Sequence, residues 1–127
     1  MKKIILTIAL VFGAYTLTVN ASEQPNKEEI TVLKYADVTP FCKLIREGNY
    51  DAVKAMIESG ENVNKKSTGL TPLMFAARYN RSDIAKLLID NGAKLKIRSK
   101  RGYTALKWAE LAKANETITV IKEAMNG

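Results

Sequence analysis

The motif Thr71-Pro72-Leu73 recurs along this chain of 127 residues at a nearly constant spacing. Thr39-Pro40-Phe41 stands before it, and the less exact Thr104-Ala105-Leu106 stands after it, one position further away than the first copy. Further identities join the first two copies at the same offset, among them Arg46 with Arg78, Asp51 with Asp83, Lys54 with Lys86, Ile57 with Ile89 and Gly60 with Gly92. A period of about 33 residues indicates a stacked array, because a unit of this size does not bury its apolar face alone. The repetition therefore predicts an elongated binding surface rather than a catalytic pocket.

The second copy of the repeat predicts the structure of one unit. Thr71 is a candidate helix N-cap, and Pro72 suits the first helical position, where no amide hydrogen is needed. Tyr79-Asn80 ends this helix, since Asn tolerates a left-handed turn. A second helix is predicted within residues 82–92, from Ser-Asp at its start to Asn-Gly at its end. Residues 93–101 are too short and too polar for an independent element, so they predict an extended loop or hairpin finger.

Two segments of this unit resemble the ankyrin repeat: Gly-Leu-Thr-Pro-Leu-Met-Phe-Ala-Ala at 69–77 and Ile-Ala-Lys-Leu-Leu-Ile-Asp-Asn-Gly-Ala at 84–93. Residues 39–64 resemble a degenerate first unit, and residues 102–125 resemble a closing one. The resemblance implies an all-α fold, an ankyrin repeat solenoid of three helix-turn-helix units with extended or hairpin fingers. Small exported (periplasmic) bacterial proteins of the family are the group that it most resembles. The domain is placed at residues 36–127, with units at 36–68, 69–101 and 102–127.

The chain departs from the family pattern at three equivalent positions. The family usually places His after the Thr-Pro-Leu motif, where it bonds between adjacent units, but these positions hold Cys42, Met74 and Lys107. We therefore expect apolar packing to substitute for that bonding. The spacing also predicts that the last unit gains one residue before Ile118. Three units are near the minimum for such an array, which predicts modest stability, or help from the leader or from self-association.

The first 21 residues resemble a secretory signal peptide. Lys2 and Lys3 precede an uncharged run at 4–19, and Val19-Asn20-Ala21 supplies small residues for a signal peptidase. The alternative is an uncleaved membrane anchor, although the run is short for a span of about 20 residues. Cleavage after Ala21 would leave no stable membrane span and a periplasmic or secreted protein. Residues 22–35 predict a flexible leader, and their apolar end at 30–35 predicts a short strand or an irregular cap.

The charge and the scarcity of reactive side chains limit the function. The chain carries 20 basic and 13 acidic residues, a net charge of +7. This balance suits an acidic partner or an anionic envelope surface, and the export signal disfavours nucleic acid. With one Cys, no His and scattered glycines, the sequence predicts no disulfide, no catalytic set, no metal site and no cofactor. Cys42 is interpreted as a core residue, the alternative being a redox-sensitive or cofactor-binding thiol.

Basic and aromatic residues on the inner helices and fingers form the predicted binding surface. Two basic fingers beside repeated Arg positions predict a positive strip that would steer an acidic partner, interrupted by Glu47. The alternative is a set of solvated loops. The resemblance places Tyr79 on the inner face and Tyr103 at the base of a finger. Each of them is either a contact residue for the partner or an ordinary surface residue, whereas Trp108 is interpreted as a residue that packs in the core. The candidate partner-binding residues are Arg46, Lys65, Lys66, Arg78, Tyr79, Arg98, Lys100, Arg101 and Tyr103.

These observations predict a non-enzymatic protein that binds another protein through the concave surface of its inner helices and fingers. The alternative is an accessory factor for an envelope enzyme or its cofactor, in oxidative-stress defence. That alternative rests only on analogy with small bacterial proteins of the same family. An enzyme on this scaffold is a third reading, for which the sequence offers no catalytic motif.

Overall fold

The structure, a computed structural model, describes residues 37–127. The predicted signal peptide at 1–21, the leader at 22–35 and its apolar end therefore lie outside the described residues. Asp37–Gly127 form one compact unit.

The described part of the chain contains six helices and no strand, so the prediction of an all-α fold is confirmed for it. The helices in residues 37–127 form three pairs: α1 (Pro40–Glu47) and α2 (Tyr50–Glu58), α3 (Pro72–Arg78) and α4 (Ser82–Asp90), and α5 (Ala105–Leu111) and α6 (Asn115–Asn126). None of these helices is long and apolar enough to cross a membrane.

A threonine begins the first helix of each pair. The hydroxyl groups of Thr39, Thr71 and Thr104 accept the backbone N–H three residues further on, at 3.2 to 3.3 Å. Each satisfies one of the donors that a helix N-terminus leaves without a partner. At Thr71 the cap is reciprocal, because its own N–H donates to the sulfur of Met74 at 3.4 Å. The predicted N-cap at Thr71 is confirmed.

The turn between the two helices of each unit uses a left-handed residue at an equivalent position. These residues are Gly48 (φ 77°), Asn80 (φ 51°) and Lys113 (φ 55°). Asn80 therefore ends its helix as predicted. Each of the three lies equally far from the threonine that begins its unit, so the register between cap and turn is the same in every unit.

The last unit contains no extra residue before Ile118, and that prediction is wrong. The N–H of Ala114 donates to the carbonyl of Ala109, as Arg81 donates to Ala76 one unit earlier. Thr117, not Ile118, consequently occupies the place of Ile84, and both side chains are fully buried. The additional residue that lengthens the step to the last unit lies earlier, in the second finger.

The two fingers have different turns, because the second finger contains one more residue than the first. In the first, Ser67 and Leu70 exchange both backbone hydrogen bonds, at 2.8 and 3.0 Å, around two residues of positive φ. This is the geometry of a tight two-residue hairpin turn. In the second, the N–H of Ser99 donates to the carbonyl of Tyr103 at 2.9 Å, one residue further along. The extra residue therefore lies between this serine and the threonine cap that follows it.

The helices form two layers. Helices α1, α3 and α5 pack side by side as the inner layer, and α2, α4 and α6 pack as the outer layer. All residues of α3 from Pro72 to Ala77 are buried, because this helix has neighbours on both sides. Buried alanines in the last two units (Ala76, Ala77, Ala85, Ala105 and Ala109) allow the helices to approach closely.

Hydrogen bonds between units accompany this packing. The prediction that apolar packing alone would hold the units together is therefore incomplete. Arg81 of the second unit donates through Nε and Nη2 to the carbonyl of Arg46 in the first, at 3.1 and 2.9 Å. Asn80 accepts from the hydroxyl of Thr117 in the third unit at 2.9 Å and donates to Glu116 at 2.8 Å. These side chains supply polar contacts between neighbouring units.

The side chain of Asn64 joins the two fingers near their bases. Asn64 donates to the carbonyl of Gly92 at 3.1 Å and accepts from the N–H of Lys94 at 2.8 Å. The amide therefore satisfies one acceptor and one donor in the loop that follows α4. This pairing fixes how the second finger leaves the helical layers.

Candidate protein-interaction surface

Arg78, the last residue of α3, lies against aromatic rings of two units. Its guanidinium carbon is 5.8 Å from the ring centre of Tyr79 and 5.6 Å from that of Trp108 on α5. Tyr103 meets Trp108 edge to face, with ring centres 5.4 Å apart at 76°. Such contacts are favourable for a cation and for an aromatic pair. We call these four residues the Arg78 cluster.

Trp108, interpreted from the sequence as a packing residue, has two roles in the structure. It is half-buried and packs against the core, as predicted. Its ring also supports the exposed guanidinium of Arg78. The indole Nε1 is out of solvent and has no hydrogen-bond acceptor among the described residues, so the ring is held by packing and by its neighbours.

The basic finger residues form a second group, exposed throughout: Lys65, Lys66, Arg98, Lys100 and Arg101. Two of them order the fingers. Lys66 Nζ donates to the carbonyl of Arg98 at 2.9 Å, and Arg98 Nη1 donates to the carbonyl of Gly102 at 2.8 Å. The first bond joins the two fingertips, and the second closes the turn immediately before Tyr103. We call these five residues the finger cations.

The structure therefore brings the predicted residues together in two groups and leaves one apart. Tyr103 belongs to the Arg78 cluster through its contact with Trp108, and it adjoins the finger cations because it ends the second finger. Arg46 is half-buried at the end of α1, where its carbonyl accepts the hydrogen bonds of Arg81. Its backbone is thus part of the link between units.

The finger cations and Arg78 have no carboxylate partner among residues 37–127. The one ion pair within this part of the chain joins Lys86 and Asp90, which are exposed on α4 at 3.6 Å. Residues 94–101 contain five basic residues and no acidic one, and residues 62–69 add two more without an acid. Positive charge that is not neutralised within a protein raises the local concentration of an anionic partner.

Cys42 lies in the core, as interpreted from the sequence. Its side chain is almost completely buried. Burial raises the pKa of the Cys42 thiol, against the smaller opposing effect of hydrogen bonds with Thr39 and Ser67. A thiol kept neutral and away from solvent is a poor nucleophile, which disfavours the redox alternative. Within residues 37–127 no group of three or more His, Cys, Asp or Glu side chains is arranged to hold a metal ion.

The outer layer has a different character. An open depression of about 310 Å³ lies between α2 and α4, lined by Tyr50, Asp83, Lys86, Leu87 and Asp90. Its lining mixes charges of both signs with apolar atoms. The depression shares no residue with either predicted group, so it serves as a reference surface for experiments on the inner side.

Sequence reasoning missed the residues that act between units. Arg81 and Asn80 stand in a turn, where polar residues are common, and nothing local indicates that their side chains reach another unit. The available signal for Trp108 is its repeat position: it takes the place that Phe75 holds one unit earlier, on the face that also carries Arg78.

The comparison with protein families agrees with this architecture. The sequence matches the family model for ankyrin repeats (3 copies) at residues 13–99 and 41–125. The chain belongs to the ankyrin repeat family. Ankyrin repeats generally mediate protein–protein interaction and are not enzymes as a class.

Several curated proteins are similar over part of their length. M-phase phosphoprotein 8 of Rattus norvegicus is 43% identical over 65 residues, which is 49% of this chain and 8% of that protein. Ankyrin repeat and SAM domain-containing protein 6 of the same species is 31% identical over 100 residues, 76% of this chain and 11% of that protein. Dauer abnormal formation protein 25 of Caenorhabditis elegans is 37% identical over 76 residues, 58% of this chain and 20% of that protein. This chain therefore spans a minor part of each relative.

Proposed function

We propose that this protein binds another protein through its inner helices and fingers, and that the partner presents an acidic surface there. The observation that carries the proposal is a concentration of cations that have no carboxylate partner among residues 37–127: the finger segments 62–69 and 94–101 hold seven basic residues and contain no acidic one. Surface charge of one sign accelerates the encounter with a partner of opposite sign and is screened by salt.

The order within the fingers supports recognition in addition to attraction. Lys66 and Arg98 are held in place by hydrogen bonds to backbone carbonyls. Restrained side chains lose less conformational entropy when a partner binds. The Arg78 cluster provides the aromatic surface that binding sites commonly use as an anchor.

Crosslinking within living cells tests this proposal. A photoreactive residue is placed in turn at Tyr79, at Arg101 and, as the control, at Asp90 on the outer layer. The expected result is one crosslinked protein recovered from both inner positions and absent from Asp90. Equal recovery of that protein from Asp90 would show that the binding surface is wrongly assigned.

Export of the protein is part of the proposal. The basic start and uncharged run within residues 1–21 support a periplasmic or secreted location, with cleavage after Ala21. Cell fractionation followed by N-terminal sequencing is expected to find a soluble form that begins at Ser22. An intact chain in the membrane fraction would favour the anchor alternative instead.

A further inference from the structure

We propose that Arg78 is the anchor for a carboxylate of the partner, presented beside an apolar side chain. This inference rests on the proposed function, which it deepens by naming one residue and the chemistry that this residue recognises. The finger cations attract an acidic surface from a distance, whereas Arg78 would make the short-range contact.

The geometry of Arg78 prepares it for such a contact. Two rings, those of Tyr79 and Trp108, lie within 6 Å of its guanidinium carbon. A guanidinium that uses its faces against aromatic rings keeps the N–H groups at its edge available. These N–H groups form a fork that matches the two oxygens of a carboxylate. The guanidinium of Arg78 donates no hydrogen bond to any described residue and has no carboxylate partner among them.

The supporting rings are themselves fixed. Tyr103 packs edge to face on Trp108, and the N–H of Tyr103 donates to the hydroxyl of Ser99 in the finger turn at 3.3 Å. Trp108 Nε1 is enclosed, so a partner would not reach the indole N–H and would meet the exposed guanidinium first. A site whose parts are already positioned gains affinity because less motion is lost on binding.

The neighbouring surface defines the second feature of the partner. Leu111 follows Trp108 by three residues on α5, so the two side chains are neighbours on the helix surface. Leu111 is 54% exposed, so its side chain is available to a partner. It occupies the position in the third unit that Arg78 holds in the second. A segment that carries Asp or Glu close to an apolar residue fits Arg78 and Leu111 together.

The test is selection from a displayed library of short random peptides, on the protein as it accumulates in expressing cells. We expect enrichment of peptides with Asp or Glu beside a large apolar residue. Arg78→Gln should weaken their binding at least about tenfold, and the same loss should follow when the peptide carboxylate is changed to the amide. Lys122→Gln on α6 removes an equal charge from an exposed position outside the surface and should change binding less than about twofold.

Trp108 provides the readout, because it is the single tryptophan of the chain. Peptide binding at Arg78 should change its fluorescence, and the change should saturate at the affinity measured by direct binding. Arg78→Lys keeps the charge and loses the fork, so it should recover only part of the affinity.

The outcomes separate this inference from the function on which it rests. Enriched peptides that lack a carboxylate, or that bind Arg78→Gln as well as the unchanged protein, overturn the Arg78 assignment and leave protein binding intact. Binding to vesicles of anionic phospholipid without enrichment of any peptide overturns both, because it would identify the finger cations as a membrane-binding surface.

Discussion

Arg81 links the first two units by hydrogen bonds, and loss of its guanidinium should weaken the contact between them. The proposed change is Arg81→Met, which keeps the unbranched stem and deletes the guanidinium. In the folded protein that guanidinium donates two hydrogen bonds to the carbonyl of Arg46, which stands in the last turn of α1. A cation near the C-terminal end of a helix also interacts favourably with the helix dipole.

The magnitude follows from these contacts. A hydrogen bond with a charged partner contributes about 1.5 to 3 kcal/mol. Both donors of Arg81 share one oxygen and the side chain is only half-buried, so we count them as one strong bond near the lower end. Arg81→Met should therefore reduce the free energy of unfolding by about 2 kcal/mol. For a domain of this size, that corresponds to a fall in Tm of about 8 to 16 °C.

Urea unfolding with two probes provides the assay. Circular dichroism reports all six described helices, whereas fluorescence of Trp108 reports the third unit. Because each unit of an array contacts only its neighbours, the variant should lose helical signal at lower urea than it loses the Trp108 signal. Arg101→Met is the matched control: Arg101 is exposed and donates no hydrogen bond within the described residues, so its loss should cost less than about 0.5 kcal/mol. Equal midpoints for the two variants would refute the link between units.

Three further perturbations address other features of the described domain. Gly48→Ala should lower Tm more than Gly92→Ala: both substitutions strain a backbone of positive φ, but only at Gly48 would the new methyl stand 3.0 Å from the guanidinium of Arg81 and force it to shift. Similar losses in thermal melting would contradict this. Asn80→Gly should cost about 1 to 2 kcal/mol in urea unfolding, although Gly suits the left-handed backbone, because the hydrogen bonds to Glu116 and Thr117 disappear; unchanged stability would count against these bonds. Burial raises the pKa of Cys42 above its ordinary 9.0, so its contribution to stability is complete below that pH and is lost as the pH rises further. Cys42→Ala should therefore lose less stability than the unchanged protein on going from neutral pH to about pH 10, and parallel pH curves would exclude this.

Local signals allow the helices to be predicted. The threonine caps and the left-handed Asn80 interact with residues close to them in the sequence, so a local sequence pattern is enough to predict them. The register of the last unit is mispredicted because Thr117 and Ile118 are adjacent, and an apolar residue is the expected choice for a buried position. In the structure Thr117 is buried with its hydroxyl paired to Asn80, which removes the cost of burying a polar group.

The candidate surface could be predicted only as a set of residues. Charge and repeat position indicate Arg78, Tyr79 and Tyr103, but which of them meet depends on contacts between units. Arg78 and Trp108 belong to different units. A repeat pattern does not predict that a cation of one unit packs against an aromatic ring of the next. The same limit applies to Arg81 and the carbonyl of Arg46, 35 residues earlier.

The extra residue of the second finger has a consequence for how such a protein can change. It lies between Ser99 and Thr104, and the helices on either side keep their register. Length at this tip is thus independent of the layers beneath it, and loop closure becomes only slightly more costly as a loop grows. A binding loop grafted between Lys100 and Gly102 would alter specificity while leaving the core unchanged, so the fingertip is where new recognition can be acquired at little cost to folding.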